Sequence, residues 1–172
     1  NIIPHEKRFG DSSLTNYFVQ SVDGFVVMSK KVEQQMDQFV NQQPISYIPH
    51  PIYDTFGEIV PRDKALAHLG LDPQYDYVLF FGYIRDYKGL DILLDAIAEG
   101  LKTNSNLRLI VAGEYYSDSE KYLSQIDKLG ITDQVILHTN FISNEEVRYF
   151  FSAADLVAQS YKSATQSGIS QM

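Results

Sequence analysis

Cysteine is absent from the 172 residues, which excludes a disulfide framework and thiolate metal sites and suits a reducing compartment. No apolar run approaches the roughly 20 residues needed to cross a bilayer, and no basic start followed by an apolar core marks a secretory leader. The chain is therefore read as cytoplasmic. Basic charge is scarce too: 14 Lys and Arg against 22 Asp and Glu leave a net charge of −8. General affinity for a nucleic-acid backbone needs surplus cations, so nucleic acid is not an expected partner and any phosphate contact has to be local. His5, His50, His68 and His138 show no ligand-like spacing, so no metal site is expected. The Gly-x-Ser-x-Gly elbow, the P-loop and the Gly-x-Gly-x-x-Gly fingerprint are all missing, and hydrolase, nucleoside-triphosphatase and dehydrogenase readings lose their key residues with them.

What is present is ordinary globular composition, 44% hydrophobic and 21% charged residues, enough for one packed domain plus a piece of another. A start at Asn1 and a stop at Met172 inside a patterned segment lead to the expectation of a fragment. From Tyr77 the chain reads Tyr-Val-Leu-Phe-Phe-Gly, a nearly continuous apolar run closed by Gly82, as suits a buried parallel strand. Leu90, Leu93, Leu94, Ile97 and Leu101 then recur at helical spacing. The cycle repeats with strand Leu107 to Val111 and a helix whose stripe is Tyr122, Leu123, Ile126 and Leu129, opened by a Ser117/Glu120 capping box and stopped by Gly130. It repeats again with strand Gln134 to Leu137, a Ser143/Glu146 capping box, the apolar face Val147, Phe150 and Phe151, and a short strand from Asp155 to Ala158. Such alternation predicts an α/β fold, a Rossmann-like parallel sheet with helices on both faces. Residues 1–50 differ, with one buried strand candidate from Gly24 to Met28 and Ser29 capping a helix that carries Val32, Met36 and Val40. They read as the remnant of a preceding domain, 51–61 as a linker, and 62–172 as a second domain incomplete at its C-terminus.

Ligands of open parallel sheets bind beyond the carboxyl ends of the strands, so the loops there are the candidates. Gly82 to Gly89 joins a strand to a helix and offers a flexible glycine, the Arg85 guanidinium, the Lys88 ammonium and free amides at a helix N-terminus. These suit a diphosphate; they also suit a plain turn with solvated charges. Ser160 to Gly168 is rich in small hydroxyl residues that can turn amides and Oγ groups toward phosphate oxygens, or serve as a polar connector. Glu114, after the second strand, is placed to bind a hydroxyl, or stands as an exposed loop acid. The Asn140-Phe141-Ile142 backbone is placed to read a base edge, or packs.

The stretch Phe81-Gly82-Tyr83-Ile84-Arg85-Asp86-Tyr87-Lys88-Gly89-Leu90-Asp91-Ile92-Leu93-Leu94-Asp95-Ala96 resembles the retaining GT-B glycosyltransferases of family four. Three further stretches follow in that family's order: Leu109 to Gly113, Val135 to Ile142, and Tyr149 to Leu156. The resemblance spans about 77–168. It implies a truncated GT-B C-terminal domain that holds a nucleotide-sugar donor, a UDP-sugar or GDP-sugar, with no further cofactor and no metal. The acceptor, a glycan, lipid or small molecule, would be held by an N-terminal domain. Carried over by position, Gly82, Arg85 and Lys88 with Thr165, Gln166, Ser167 and Gly168 would bind the donor diphosphate, and Glu114, Phe141 and Ile142 the nucleoside. Asn1-Ile2-Ile3-Pro4-His5-Glu6 resembles the end of the acceptor domain, which makes His5 the catalytic candidate. The chain departs from the family pattern twice. Tyr83 replaces the arginine that follows the glycine, and Ser163 to Gly168 lacks the carboxylates of the family's Glu-x7-Glu element.

The function implied is transfer of a sugar from a nucleoside diphosphate to an acceptor with retention, by the intact protein and not by the fragment. The alternative is a non-catalytic module that binds a nucleotide sugar or a partner, which the missing carboxylates favour. A receiver-like signalling domain is disfavoured, because no acidic cluster follows the first strand of the sheet. Truncation of the sheet predicts an exposed edge through which two copies pair.

Overall fold

The computed structural model describes residues 9–40, 42–116, 118–164 and 167–172, and these divide into two compact units, 1–53 with 163–172, and 54–162. In the first unit, α1 (Asp11–Gln20) precedes β1 (Phe25–Val27), α2 (Lys30–Met36) and β2 (Ile45–Tyr47). The two strands pair in parallel, Phe25 opposite Ile45 and Val27 opposite Tyr47. The Ser29 side chain accepts a hydrogen bond from the Val32 amide and so caps α2 as expected. Val27, Val32 and Met36 form a small core. Residues 163–172, which the sequence pattern assigns to the second domain, belong to this first unit: the Tyr53 amide donates to the Gln171 carbonyl at 2.9 Å and Lys31 Nζ to the Ala164 carbonyl at 2.9 Å.

The second unit opens with α3 (Arg62–Leu69) and continues as β3 (Asp76–Phe81), α4 (Leu90–Gly100), β4 (Leu107–Ala112), α5 (Glu120–Leu129), β5 (Val135–His138), α6 (Asn144–Ala153) and β6 (Leu156–Val157). All four strands are parallel, in the order β5-β4-β3-β6. Side chains of a strand alternate between its faces, and the two middle strands divide accordingly. Val78, Phe80, Leu109 and Val111 pack under α4 and α5 with Leu90, Leu94, Ile97, Tyr122 and Ile126. Tyr77, Leu79, Ile110 and Ala112 pack on the opposite face against Ala65 and Leu66 of α3 and Phe150 and Ala153 of α6. A strand buried on both faces reads as an unbroken apolar run, which is why β3 was visible in the sequence.

Two helix starts differ from expectation. Ser117 lies outside the described residues, and Glu120 is the first residue of α5, its amide capped by Asp118 Oδ1 at 3.0 Å. Glu120 therefore cannot fill the third helical position that a capping box requires. At α6, Glu146 does not turn back to Ser143 but reaches His68 Nε2 at 2.8 Å, a partner supplied by α3. Leu123 is half-exposed at the margin of the α5 stripe.

Gly82 and Gly113, which close β3 and β4, lie against each other: a Cβ added to Gly113 would sit 2.5 Å from the Gly82 carbonyl oxygen, whereas one added to Gly130 meets nothing within 4 Å. Both glycines have positive φ, +136° and +67°. Gly130→Ala should lower unfolding free energy by about 1 kcal/mol, the cost of the left-handed backbone alone. Gly113→Ala should lower it by more than that in the same urea titration, because two strand ends must separate. Equal losses would refute the close approach.

Candidate anion-binding site at the strand ends

The β3 and β4 chains do not part at their last strand residues. Past Gly82 and Gly113, the Ile84 amide donates to the Glu114 carbonyl at 2.8 Å and the Tyr116 amide to the Ile84 carbonyl at 3.1 Å, and Ile84 is fully buried. This splice anchors Arg85 in extended backbone just beyond the strand ends. Its guanidinium lies over the Tyr116 ring, 3.7 Å from the centroid, a contact that limits the side chain's freedom. Asp86–Lys88 then form a single 3-10 turn, and Gly89, at φ +69°, begins α4.

Lys88 is buried, with 8% of its surface exposed, and no carboxylate among the described residues pairs with it. Burial, with the neighbouring Arg85 charge adding to it, pushes its ammonium down from 10.5 to about 8. A side chain largely covered, with no carboxylate beside its ammonium, holds that charge against part of its solvation energy. Asp86 of the same turn and Asp91 of α4 are paired with other lysines. Asp86 accepts from Lys121 at 2.5 Å and Lys162 at 3.2 Å, and Asp91 from Lys162 at 2.7 Å, with Lys121 at 3.7 Å. The hydrogen bond from Lys121 holds the Asp86 carboxyl below its usual range, and the same two contacts raise Lys121 and Lys162, through Asp86 and Asp91 respectively. Two acids and two lysines thus neutralise one another, while Arg85 and Lys88 remain as cations without an anion among the described residues.

Beside this loop a cavity of about 140 Å³ is lined by Phe81, Gly82, Tyr83, Gly113, Glu114, Phe141 and Ile142. Gly82, Glu114, Phe141 and Ile142, assigned to the donor from sequence, therefore share one cavity. Tyr83 and Phe141 stand exposed at it. A second hollow of about 180 Å³ uses Phe141 and Ile142 again with His138, Asn140, Glu146 and Phe150. Burial lowers the His138 imidazole below its ordinary value. Ser167 and Gly168 fall in the first unit, where Gly168 lies against the Tyr53 ring. His5, Thr165 and Gln166 lie outside the described residues. Among the described residues no three His, Asp or Glu side chains gather as metal ligands, and no helix is long and apolar enough to cross a membrane. Sequence reasoning missed Tyr116 as the support of Arg85 and the charge pairing of Lys121 and Lys162. Both pairings join residues more than 30 positions apart, so no local spacing carries a signal for them.

A family model described as "Glycosyl transferases group 1" matches residues 61–169. A D-inositol 3-phosphate glycosyltransferase of Segniliparus rotundus is 36% identical over 162 residues, covering 90% of this chain and 34% of its own length. The lipopolysaccharide core biosynthesis mannosyltransferase LpsB of Rhizobium meliloti is 27% identical over 135 residues, 73% of this chain and 37% of that protein. The chain thus spans about a third of the length of these curated relatives. Among solved structures, sucrose-phosphate synthase from Thermosynechococcus elongatus superposes with a TM-score of 0.77 at 17% identity, over 95% of this chain and 41% of its own. Anabaena HepE in complex with UDP and glucose gives 0.77 at 18%, over 95% and 45%. These likenesses establish the fold, a Rossmann-like α/β arrangement of the GT-B kind.

The Lys88 environment has a consequence for stability. A folded-state value near 8 against 10.5 unfolded means that the unfolded chain binds the proton more tightly, so charged Lys88 destabilises the fold below pH 8 and this penalty fades as pH rises from 8 to 10.5. Lys88→Met should be more stable than the parent by about 1–3 kcal/mol at pH 7. The gap should narrow steadily toward pH 10. Parallel urea curves at pH 7, 8.5 and 10 measure it; a variant less stable at pH 7 would show that Lys88 has a counter-charge.

Proposed function

The chain belongs to the group 1 glycosyl transferases, and from that premise we propose that its second unit holds the nucleoside diphosphate of a sugar donor. In this reading Arg85 and Lys88 bind the diphosphate, and the nucleoside occupies the cavity formed by Gly82, Glu114, Phe141 and Ile142. The observation that carries it is the buried, unpaired Lys88 ammonium beside Arg85 at the carboxyl ends of a parallel sheet, where ligands of such sheets bind. Relatives named for transfer to inositol phosphate and for mannosyl transfer, and a neighbour of the same fold carrying UDP and glucose, support the donor class. The intact protein then moves a sugar from a UDP-sugar or GDP-sugar to a glycan, lipid or small-molecule acceptor, with retention at the anomeric carbon.

Mechanistically, a leaving nucleoside diphosphate gathers negative charge as the sugar bond breaks. A preorganised guanidinium and ammonium stabilise that charge without moving, so the proposal includes metal independence and no cofactor. Thr165, Gln166, Ser167 and Gly168 are proposed to add phosphate contacts, and His5 to serve the reaction from the acceptor side. Cytoplasmic localisation belongs to the same proposal and rests on the absence of cysteine. So does pairing of two copies through the outer edge of β5 or β6, neither of which has a second neighbour among the described residues. The absence of carboxylates from Ser163 to Gly168 favours a second reading, a module that binds the nucleotide sugar without turnover.

Titration with UDP and GDP separates these ideas. Arg85→Ala and Lys88→Ala should each weaken binding roughly ten- to a hundredfold, as loss of a charge-assisted hydrogen bond does; unchanged affinity in both would remove these residues from the site. Because free Lys88 loses its proton near pH 8, affinity of the parent chain should fall roughly tenfold between pH 7 and pH 9.5, and the Lys88→Ala variant should lack that slope. A monomer by light scattering at high concentration would exclude edge pairing.

A further inference from the structure

The segment Ser160–Lys162 is bonded to the Lys88 turn and to the first turn of α4 through several of their acceptor groups. The Ser160 hydroxyl donates to the Gly89 carbonyl at 2.8 Å and the Lys88 carbonyl at 3.1 Å. The Lys162 amide donates to the Tyr87 carbonyl at 2.8 Å. The Lys162 ammonium bonds both Asp86 and Asp91. Three successive carbonyl oxygens and two carboxylates are therefore engaged by two residues, Ser160 and Lys162, lying some 70 positions further along the chain. The fit leaves no slack, since a Cβ on Gly89 would overlap the Ser160 carbonyl oxygen. Rings of Tyr87 and Tyr161 add an edge contact at 6.1 Å.

From this geometry we infer that Ser160 and Lys162 are positioning residues for the anion site: the strap they form takes up the negative groups of the Arg85–Gly89 turn and leaves its two cations unpaired. The inference rests on the diphosphate reading above for its purpose, although not for its electrostatics. Of the neighbouring charges Arg85 acts on the Lys88 ammonium directly; Asp86 on its own turn, Asp91 from α4, Lys121 from α5 and Lys162 from the strap are paired with one another. As built, the Asp86, Asp91, Lys121 and Lys162 quartet sums to zero charge. Without the Lys162 charge it sums to −1 beside the site, one carboxylate is free to turn toward Lys88, and an incoming phosphate meets repulsion where it met none. Much of the quartet is exposed to solvent, so the effect is moderate and salt-dependent. A lysine that merely glued two loops together would act on stability alone.

The test uses the whole 172-residue chain at low ionic strength, with two readouts: the Lys88 titration followed by ¹³C NMR of its ε-carbon, and inorganic pyrophosphate affinity by calorimetry. Lys162→Met should raise the Lys88 midpoint and weaken pyrophosphate binding roughly two- to fivefold, the scale of a partly exposed ion pair. Adding Asp91→Asn to the same chain returns the quartet to zero charge and should restore both. Ser160→Ala, which keeps every charge, should weaken pyrophosphate binding and leave the Lys88 midpoint within a few tenths of a unit. The inference is overturned if Lys162→Met leaves the Lys88 midpoint in place, or if Asp91→Asn fails to restore it. A parent chain that does not bind pyrophosphate would instead defeat the diphosphate reading, and the Lys88 titration would still decide the strap.

Discussion

A positive charge held in the protein without a partner is the constraint around which the second unit is arranged. Lys88 is 8% exposed yet pairs with no carboxylate among the described residues, and the Arg85 charge repels it. Folding tolerates such a group only when the surroundings fix it more firmly than its solvation energy opposes. Those surroundings are a double-faced parallel sheet, whose rigid ends are extended by the splice of Ile84 to Glu114 and Tyr116. Strain of this kind clusters where a ligand will complete the charge balance.

The scaffold and the site are thus linked by a few contacts rather than by the whole core. Close approach of Gly82 and Gly113 brings the two loops together, and a hollow of about 140 Å³ opens at that junction, between Gly82, Glu114, Phe141 and Ile142. On one flank Tyr116 braces Arg85, and on the other Ser160 and Lys162 hold the turn that carries Lys88. Helices α3 and α6 are tied on the opposite face by His68, which stacks on Tyr149 at 3.8 Å and bonds Glu146. That tie is structural: it fixes α6, and with it the chain leading into β6, which ends just before the strap.

Much of this fold was legible because each element carried its own period. The apolar run of β3, the Leu90 to Ile97 stripe and the Ser29 cap depend on neighbours within one or two turns, and all three stand as read. The Ser143 capping box failed for the opposite reason: Glu146 answers to His68, 78 residues away, and a local rule cannot see a distant competitor. The site divides in the same manner. The loops that flank the cavity were legible because strand ends and glycines mark them. The charge balance was not, since it depends on pairing Lys121 and Lys162 with Asp86 and Asp91 across three segments. Nor did the sequence pattern reveal that residues 163–172 pack with the first unit, since the Tyr53 to Gln171 hydrogen bond joins residues about two thirds of the chain apart.

In the proposed reading Lys88 and Arg85 wait for a diphosphate, and a crystal structure of the chain soaked with UDP decides it. The claim predicts phosphate oxygens within about 3 Å of both Lys88 Nζ and the Arg85 guanidinium, the distance of a charge-assisted hydrogen bond, with the quartet of Asp86, Asp91, Lys121 and Lys162 unchanged. UDP bound elsewhere, with Lys88 turned to a carboxylate of its own turn, would contradict it.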